Sequence, residues 1–141
     1  MKRFFLLAIV PFLMISCEKE EILKLTEIPP EISQYLRTHF PENKTMHAVK
    51  DSDGLEVTYD IALEDGFFLK FNRKKEVIDI EGLSKLPDSV IPVKVGEYVS
   101  SNFTGNYIIG WELEDRNQQI KLNNDLELDF NMNGDFLRID K

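Results

Sequence analysis

The chain has 141 residues, 43% of them hydrophobic and 30% charged, which is the balance of a folded globular protein and excludes a disordered tail. Its formal net charge of −8 speaks against nucleic acid and against an anionic lipid surface, because both call for Lys and Arg patches. A single cysteine excludes an internal disulfide.

The N-terminus is a targeting segment by pattern. Met1, Lys2 and Arg3 form a positive region, and Phe4 to Ile15 is an apolar run too short to span a bilayer but suited to a signal peptide. Leu13-Met14-Ile15-Ser16-Cys17 resembles a bacterial lipobox, with Met14 where leucine is usual. Residues 1–16 are therefore expected to be a signal peptide and Cys17 a site of lipid attachment, with the membrane as partner through that anchor. Glu18-Lys19-Glu20-Glu21 resembles the acidic export tag of surface lipoproteins in the Bacteroidota, so the expected location is the outer membrane, at the cell surface or on the periplasmic face. Residues 17–27 are expected to be the lipidated cysteine and a linker, in which Ile22, Leu23 and Leu25 dock on the domain.

Pro29-Pro30 suits a first helical turn, and Ile32, Tyr35, Leu36 and Phe40 fall on one helical stripe that Pro41 ends. Four strands follow. Thr45 to Asp51 leads to a turn at Asp51-Ser52-Asp53-Gly54. Leu55 to Leu63 alternates Leu55, Val57, Tyr59, Ile61 and Leu63 on one face, and Asp65-Gly66 turns it into Phe67 to Asn72. Arg73 to Glu76 turns again, into Val77 to Ile80.

The same pattern then restarts. Ile91-Pro92 through Val99 matches Ile28-Pro29 through Leu36 at an offset of 63, and Phe103 matches Phe40. Ile61, Leu63, Leu69, Phe71, Asn72 and Ile80 recur as Ile120, Leu122, Leu128, Phe130, Asn131 and Ile139, at an offset of 59. Four residues are lost between the copies, most simply at the first hairpin. The expected fold is α+β: two tandem units of one helix and four antiparallel strands, forming one continuous sheet with both helices on one face. The boundaries expected are 28–82 for the first unit and 83–141 for the second, with Asn133-Gly134 as a type I′ turn.

Ile28-Pro29-x-x-Ile32-x-x-Tyr35-Leu36-x-x-His39-Phe40-Pro41, with Leu69-Lys70-Phe71-Asn72 and Val77-Ile78-Asp79-Ile80, resembles the PepSY-like domain of the β-lactamase-inhibitor-protein-like group, secreted or lipid-anchored proteins frequent in Bacteroidota. The likeness covers about residues 25–141, with Thr104 departing from the usual proline of the second copy. It implies a fold and a binding role, without a ligand.

Chemistry is sparse. The two histidines, His39 and His47, do not combine with a serine and an acid into a triad, and no glycine-rich phosphate loop is present. Asp129 to Asp135 is superficially similar to a calcium loop, but the first copy has Lys70-Phe71-Asn72-Arg73-Lys74-Lys75-Glu76 in its place, and a hairpin explains Asn133-Gly134. No enzyme, metal or cofactor is expected.

What remains is a surface. The alternation puts Leu69, Phe71, Ile78 and Ile80 under the helices. It leaves His47, Val49, Thr58, Asp60, Phe68, Lys70, Val77 and Asp79 on the open face, with Glu112, Lys121, Glu127, Asp129, Phe136 and Arg138 from the second copy. Phe68 and Phe136 are the expected anchors for an unknown protein or peptide, with Val77 and His47 beside them. Asp88-Ser89-Val90 resembles a Bacteroidota O-glycosylation acceptor, which makes Ser89 a candidate modification site. The expectation is thus a monomeric, lipid-anchored, non-catalytic binding module. The alternatives are an inhibitor of a protease or other hydrolase, and a structural envelope lipoprotein without a discrete ligand.

Overall fold

A computed structural model of the chain describes residues 18–140. The signal peptide and the lipid attachment expected at Cys17 lie outside the described residues. Two helices, α1 (Pro30–His39) and α2 (Val93–Asn102), cover one face of an antiparallel sheet. Its nine strands stand in chain order: β1 (Glu18–Ile22), β2 (Thr45–Asp53), β3 (Glu56–Leu63), β4 (Phe67–Phe71), β5 (Val77–Gly82), β6 (Ile108–Leu113), β7 (Asn117–Leu122), β8 (Glu127–Asn131) and β9 (Phe136–Ile139). The sheet is a simple meander, interrupted where α1 intervenes between β1 and β2 and where α2 intervenes between β5 and β6.

The helices form where the proline signal placed them. Pro30 takes the first helical position, where its missing N–H costs nothing, and each helix ends on a phenylalanine (Phe40, Phe103) that leaves helical geometry while its N–H still bonds back to Leu36 or Val99. Ile32 and Leu36 of α1 and Val95 and Val99 of α2 are buried. They meet a row of facing residues that crosses almost the entire sheet: Ala48, Ile61, Leu69, Ile80, Trp111, Ile120 and Leu128, each paired with the next. The two halves pack alike. Tyr35 meets Phe71, and Tyr98 meets Phe130, edge-on at 5.5 Å and 84° in both cases. Burial holds the Tyr35 hydroxyl protonated up to about 12.

The segment expected as a linker differs from expectation. Glu18–Ile22 is a strand, paired with β2 from Glu18↔Asp53 to Ile22↔Val49. The pairing is available because β2 and β3 run further than β6 and β7, which is where the four missing residues of the second copy belong. Leu55 does not face inward with Val57 and Tyr59. It sits in the turn at the tip of this longer hairpin, 88% exposed.

Four β-bulges correct the face assignments. In β2 the register slips between Thr45 and His47, and in β6 between Ile108 and Gly110. In β5 and β9 single residues, Ile78 and Leu137, are extra against β4 and β8. An extra residue inverts the alternation beyond it. Val77 therefore pairs with Phe71, and Phe136 with Phe130, and both pack against the core instead of facing outward. Phe136 stacks on Tyr98 of α2 at 4.7 Å and 11°. Ile78, expected under the helices, is the bulged residue itself. The bulges also occupy matching positions in the two halves, at the same offsets of 63 and 59 as the sequence repeat.

The turns differ in one respect from the sequence expectation. At Asn131–Asp135 only Gly134 has positive φ (82°), with the Gly134 N–H bonded to the Asn131 carbonyl. This is a type I turn with a left-handed residue after it, not a type I′ turn. The repeated Asn now has a reason. The Asn131 side-chain oxygen accepts from the N–H groups of Asn133 and Asp135, and Asn72 does the same for Lys74 and Glu76. Asp135, the last acid of the calcium-like segment, is taken up by Lys94 of α2 and by Asn131, which hold its carboxyl below the usual range.

Candidate functional site

With one face under the helices, the other is open across all nine strands. Strand pairing draws a single transverse line of outward side chains through it: Ile22, Val49, Asp60, Lys70, Asp79, Glu112, Gln119, Asp129 and Arg138, each the register partner of the next. A second, shorter line runs beside it through His47, Ala62, Phe68, Glu81, Gly110, Lys121 and Glu127.

Two shallow depressions lie on these lines and share Asp79 and Glu81. One, of about 360 Å³, is lined by His47, Val49, Ala62, Phe68 and Lys70. The other, of about 270 Å³, lies on the β5–β6 seam between Glu112, Gln119 and Lys121. Its floor is Gly110. A methyl group there would stand 3.1 Å from the Cβ of Lys121, so the missing side chain is what opens the dip. A larger groove, of about 600 Å³, lies between α2 and the start of β6 and shares no residue with these two.

The electrostatics of the two halves differ at equivalent places. Lys70 lies 3.6 Å from Asp60. The matching position in the second half is Asp129, only 1% exposed, which pairs with Arg138 and accepts from Gln119 at 3.1 Å. Asp129 thus faces the open side as expected but is roofed by its own partners. Asp79 matches Arg138, and it meets Glu112 directly across the seam. Partial burial, then the charges of Glu112 and Glu81, push the Asp79 carboxyl up to about 6, with Lys70 opposing.

The expected anchors separate. Phe68 is on the open face and half exposed, and His47 is exposed beside it. Phe136 and Val77 are on the helix side and take no part. Ser89 is exposed in a 3-10 turn at Asp88–Val90, where its hydroxyl hydrogen-bonds the His39 ring at 2.9 Å and ties the end of α1 to the joint between the halves. Sequence reasoning missed the Asp79–Glu112 juxtaposition and the Gly110 dip. Both arise from β5–β6 pairing across an intervening helix, for which no local signal exists. Among the described residues no three His, Cys, Asp or Glu side chains are grouped to hold a metal ion, and no helix is long and apolar enough to cross a membrane.

A family described as "Putative beta-lactamase-inhibitor-like, PepSY-like" matches residues 12–79 and again 58–138. Solved structures share the architecture. A Bacteroides vulgatus protein described as a "putative periplasmic protein from DUF2874 family" is 25% identical, with 86% of this chain and 97% of that one covered and a TM-score of 0.80. A second Bacteroides vulgatus protein, described as a "putative periplasmic protein of unknown function", is 25% identical, with 87% and 100% covered and a TM-score of 0.81. A Bacteroides thetaiotaomicron protein described as a "putative calcium-regulated periplasmic protein" has the same fold, at 24% identity, 86% and 97% coverage and a TM-score of 0.82. No curated protein matches the chain.

Proposed function

Because the chain belongs to the PepSY-like, β-lactamase-inhibitor-like family, we propose that it is a non-catalytic binding module that takes a protein or peptide on its open sheet face. Each helix with the four strands after it is one unit of the family fold, the first at about residues 28–82 and the second at 83–141, with β1 added at the edge. The observation that carries the reading is the pair of adjoining depressions, where a half-exposed Phe68 stands among His47, Lys70 and the Asp79–Glu81–Glu112 carboxylates. An aromatic side chain at the centre of a polar face is the usual composition of a recognition anchor. The face offers no nucleophile and base in contact, which favours binding over catalysis.

The module is held to the envelope by a lipid on Cys17, as an outer membrane lipoprotein facing the surface or the periplasm. The periplasmic descriptions of two structural relatives support an envelope location. Ser89, exposed at the joint, is the site proposed for O-glycosylation. The family's inhibitor-like description favours a hydrolase as the partner over other proteins.

The test is capture of envelope proteins on the immobilised mature chain, with a control carrying His47→Ala and Phe68→Ala. A protein held by the native chain, lost on the control and lowered in hydrolytic activity by the native chain supports the inhibitory form of the reading. A protein held equally by both removes the open face as the binding surface. Capture of nothing leaves a structural lipoprotein. An intact mass equal to the lipidated chain without sugar removes Ser89 as a modification site.

A further inference from the structure

We infer that one end of the sheet, the end bearing the β2–β3 tip, rests against a phospholipid surface, with Leu55 entering the headgroup boundary and the Arg73-Lys74-Lys75 turn facing lipid phosphates. The inference rests on the lipid attachment proposed at Cys17 and adds an orientation to it.

The geometry comes from β1. It begins at Glu18, directly after the cysteine, and runs antiparallel to β2 with Glu18 opposite Asp53. The N-terminal end of β1 therefore lies beside the Asp53-Gly54-Leu55-Glu56 turn. Five paired positions hold β1 in place, and Cys17 is the next residue before it in sequence. A strand advances only about 3.3 Å per residue, which brings an acyl chain at residue 17 and the hairpin tip to the same surface.

In an antiparallel meander alternate turns share an end. The turn Asn72–Glu76 after β4 is thus at the end of the β2–β3 tip, and so is the turn after β8, with exposed Met132. The β4–β5 turn carries three consecutive cations in a chain of net charge −8. Arg73 and Lys74 are exposed, and the nearest acid in sequence, Glu76, already accepts from the Asn72 side chain. Asp53 and Glu56 flank the tip, and Glu114 and Asp115 lie in the β6–β7 turn beside Arg116, so the contact is local to Leu55 and the basic turn. The opposite end has acids in its turns, Glu64 and Asp65 after β3 and Asp125 after β7. Cationic turns near a bilayer are drawn to lipid phosphates, and an exposed leucine gains by entering the interface. The longer hairpin, absent from the second half, supplies both the pairing partners of β1 and the leucine. In this posture the strands stand off the membrane, and the open face looks along it.

The experiment uses the lipidated chain, matured in a bacterial host through its own signal peptide, with Leu55→Cys or Leu83→Cys carrying an environment-sensitive fluorophore. Leu83 is 83% exposed and its N–H bonds to Gly66 at the opposite end. Acylated Cys17 does not react with the label. The proteins are reconstituted in vesicles of phosphatidylethanolamine and phosphatidylglycerol, some carrying a nitroxide-labelled lipid. The expected result is a blue shift and nitroxide quenching at position 55 and neither at 83, with both weakened when Arg73, Lys74 and Lys75 are all changed to Gln. Water-like emission at 55, in protein whose mass shows acyl chains on Cys17, overturns the orientation and leaves the anchor standing. An unmodified Cys17 overturns both.

Discussion

Asp79 is the residue whose surroundings work against its charge. Its carboxyl titrates at about 6 in the folded chain, against 3.8 when exposed, chiefly through burial and then through Glu112 and Glu81. Below about pH 3 the group is protonated in both states and carries no penalty. As pH rises toward 6 the unfolded chain gives up its proton first, so stability falls, and above that the penalty is constant. Allowing for the half-exposed site, the loss is about 1–2 kcal/mol. Asp79→Asn is expected to raise the urea midpoint at neutral pH and leave it nearly unchanged below about pH 3. An equal effect at both would mean the carboxylate is not the cause. Two phenylalanines make the second contrast. Phe136→Ala removes the Tyr98 stack and the Phe130 contact and is expected to cost about 2–3 kcal/mol, whereas Phe68→Ala should stay within about 0.5. Thermal unfolding of the two variants measures it directly.

At the scale of elements, the turns and bulges decide which side chain faces which way. Lys75 and Gly134 occupy the same position in the two repeated turns, and both are left-handed, at φ 64° and 82°. The lysine pays a steric cost there that glycine does not. Lys75→Gly is expected to stabilise by about 0.5–1 kcal/mol after the added freedom of the unfolded chain is counted. Gly134→Ala is expected to destabilise, because its Cβ would also stand 3.0 Å from the Cβ of Lys94. Denaturant midpoints of the pair test both signs at once. Alternation along β5 and β9 was legible in the sequence, but the bulges at Ile78 and Leu137 were not. A bulge leaves no composition of its own, so the strict period-2 reading put Val77 and Phe136 on the wrong face.

For the whole molecule, the two halves share one sheet and one core. They are joined by only three paired positions between β5 and β6, yet Ile80 and Trp111 of that seam belong to the apolar row that crosses the sheet. Each half alone would leave a strand edge unpaired and that row cut, and about 60 residues bury too little surface to compensate. The chain is expected to unfold in one transition, with Trp111 fluorescence and far-ultraviolet dichroism coincident in urea, and residues 83–141 alone are expected not to fold. A folded second half would show that the repeats are independent. The seam also explains why the candidate site was only half legible. Asp79 and Phe68 could be placed on the open face from one repeat, but Glu112 and Gly110 reach them across a junction that spans the whole of α2.

The sequence by itself determined the two helices, eight of the strands, the repeat with its four-residue loss and the family, because these depend on local periodicity, proline placement and turn chemistry. Tertiary structure alone decided the strand character of Glu18–Ile22, the inward turn of Phe136 and Val77, and the meeting of Asp79 with Glu112. An edge strand exists only if its partner is long enough to receive it, a bulge only if the neighbouring strand fixes the register, and a seam only if two distant elements pair. Each depends on hydrogen bonds to another segment, which no pattern within the segment records.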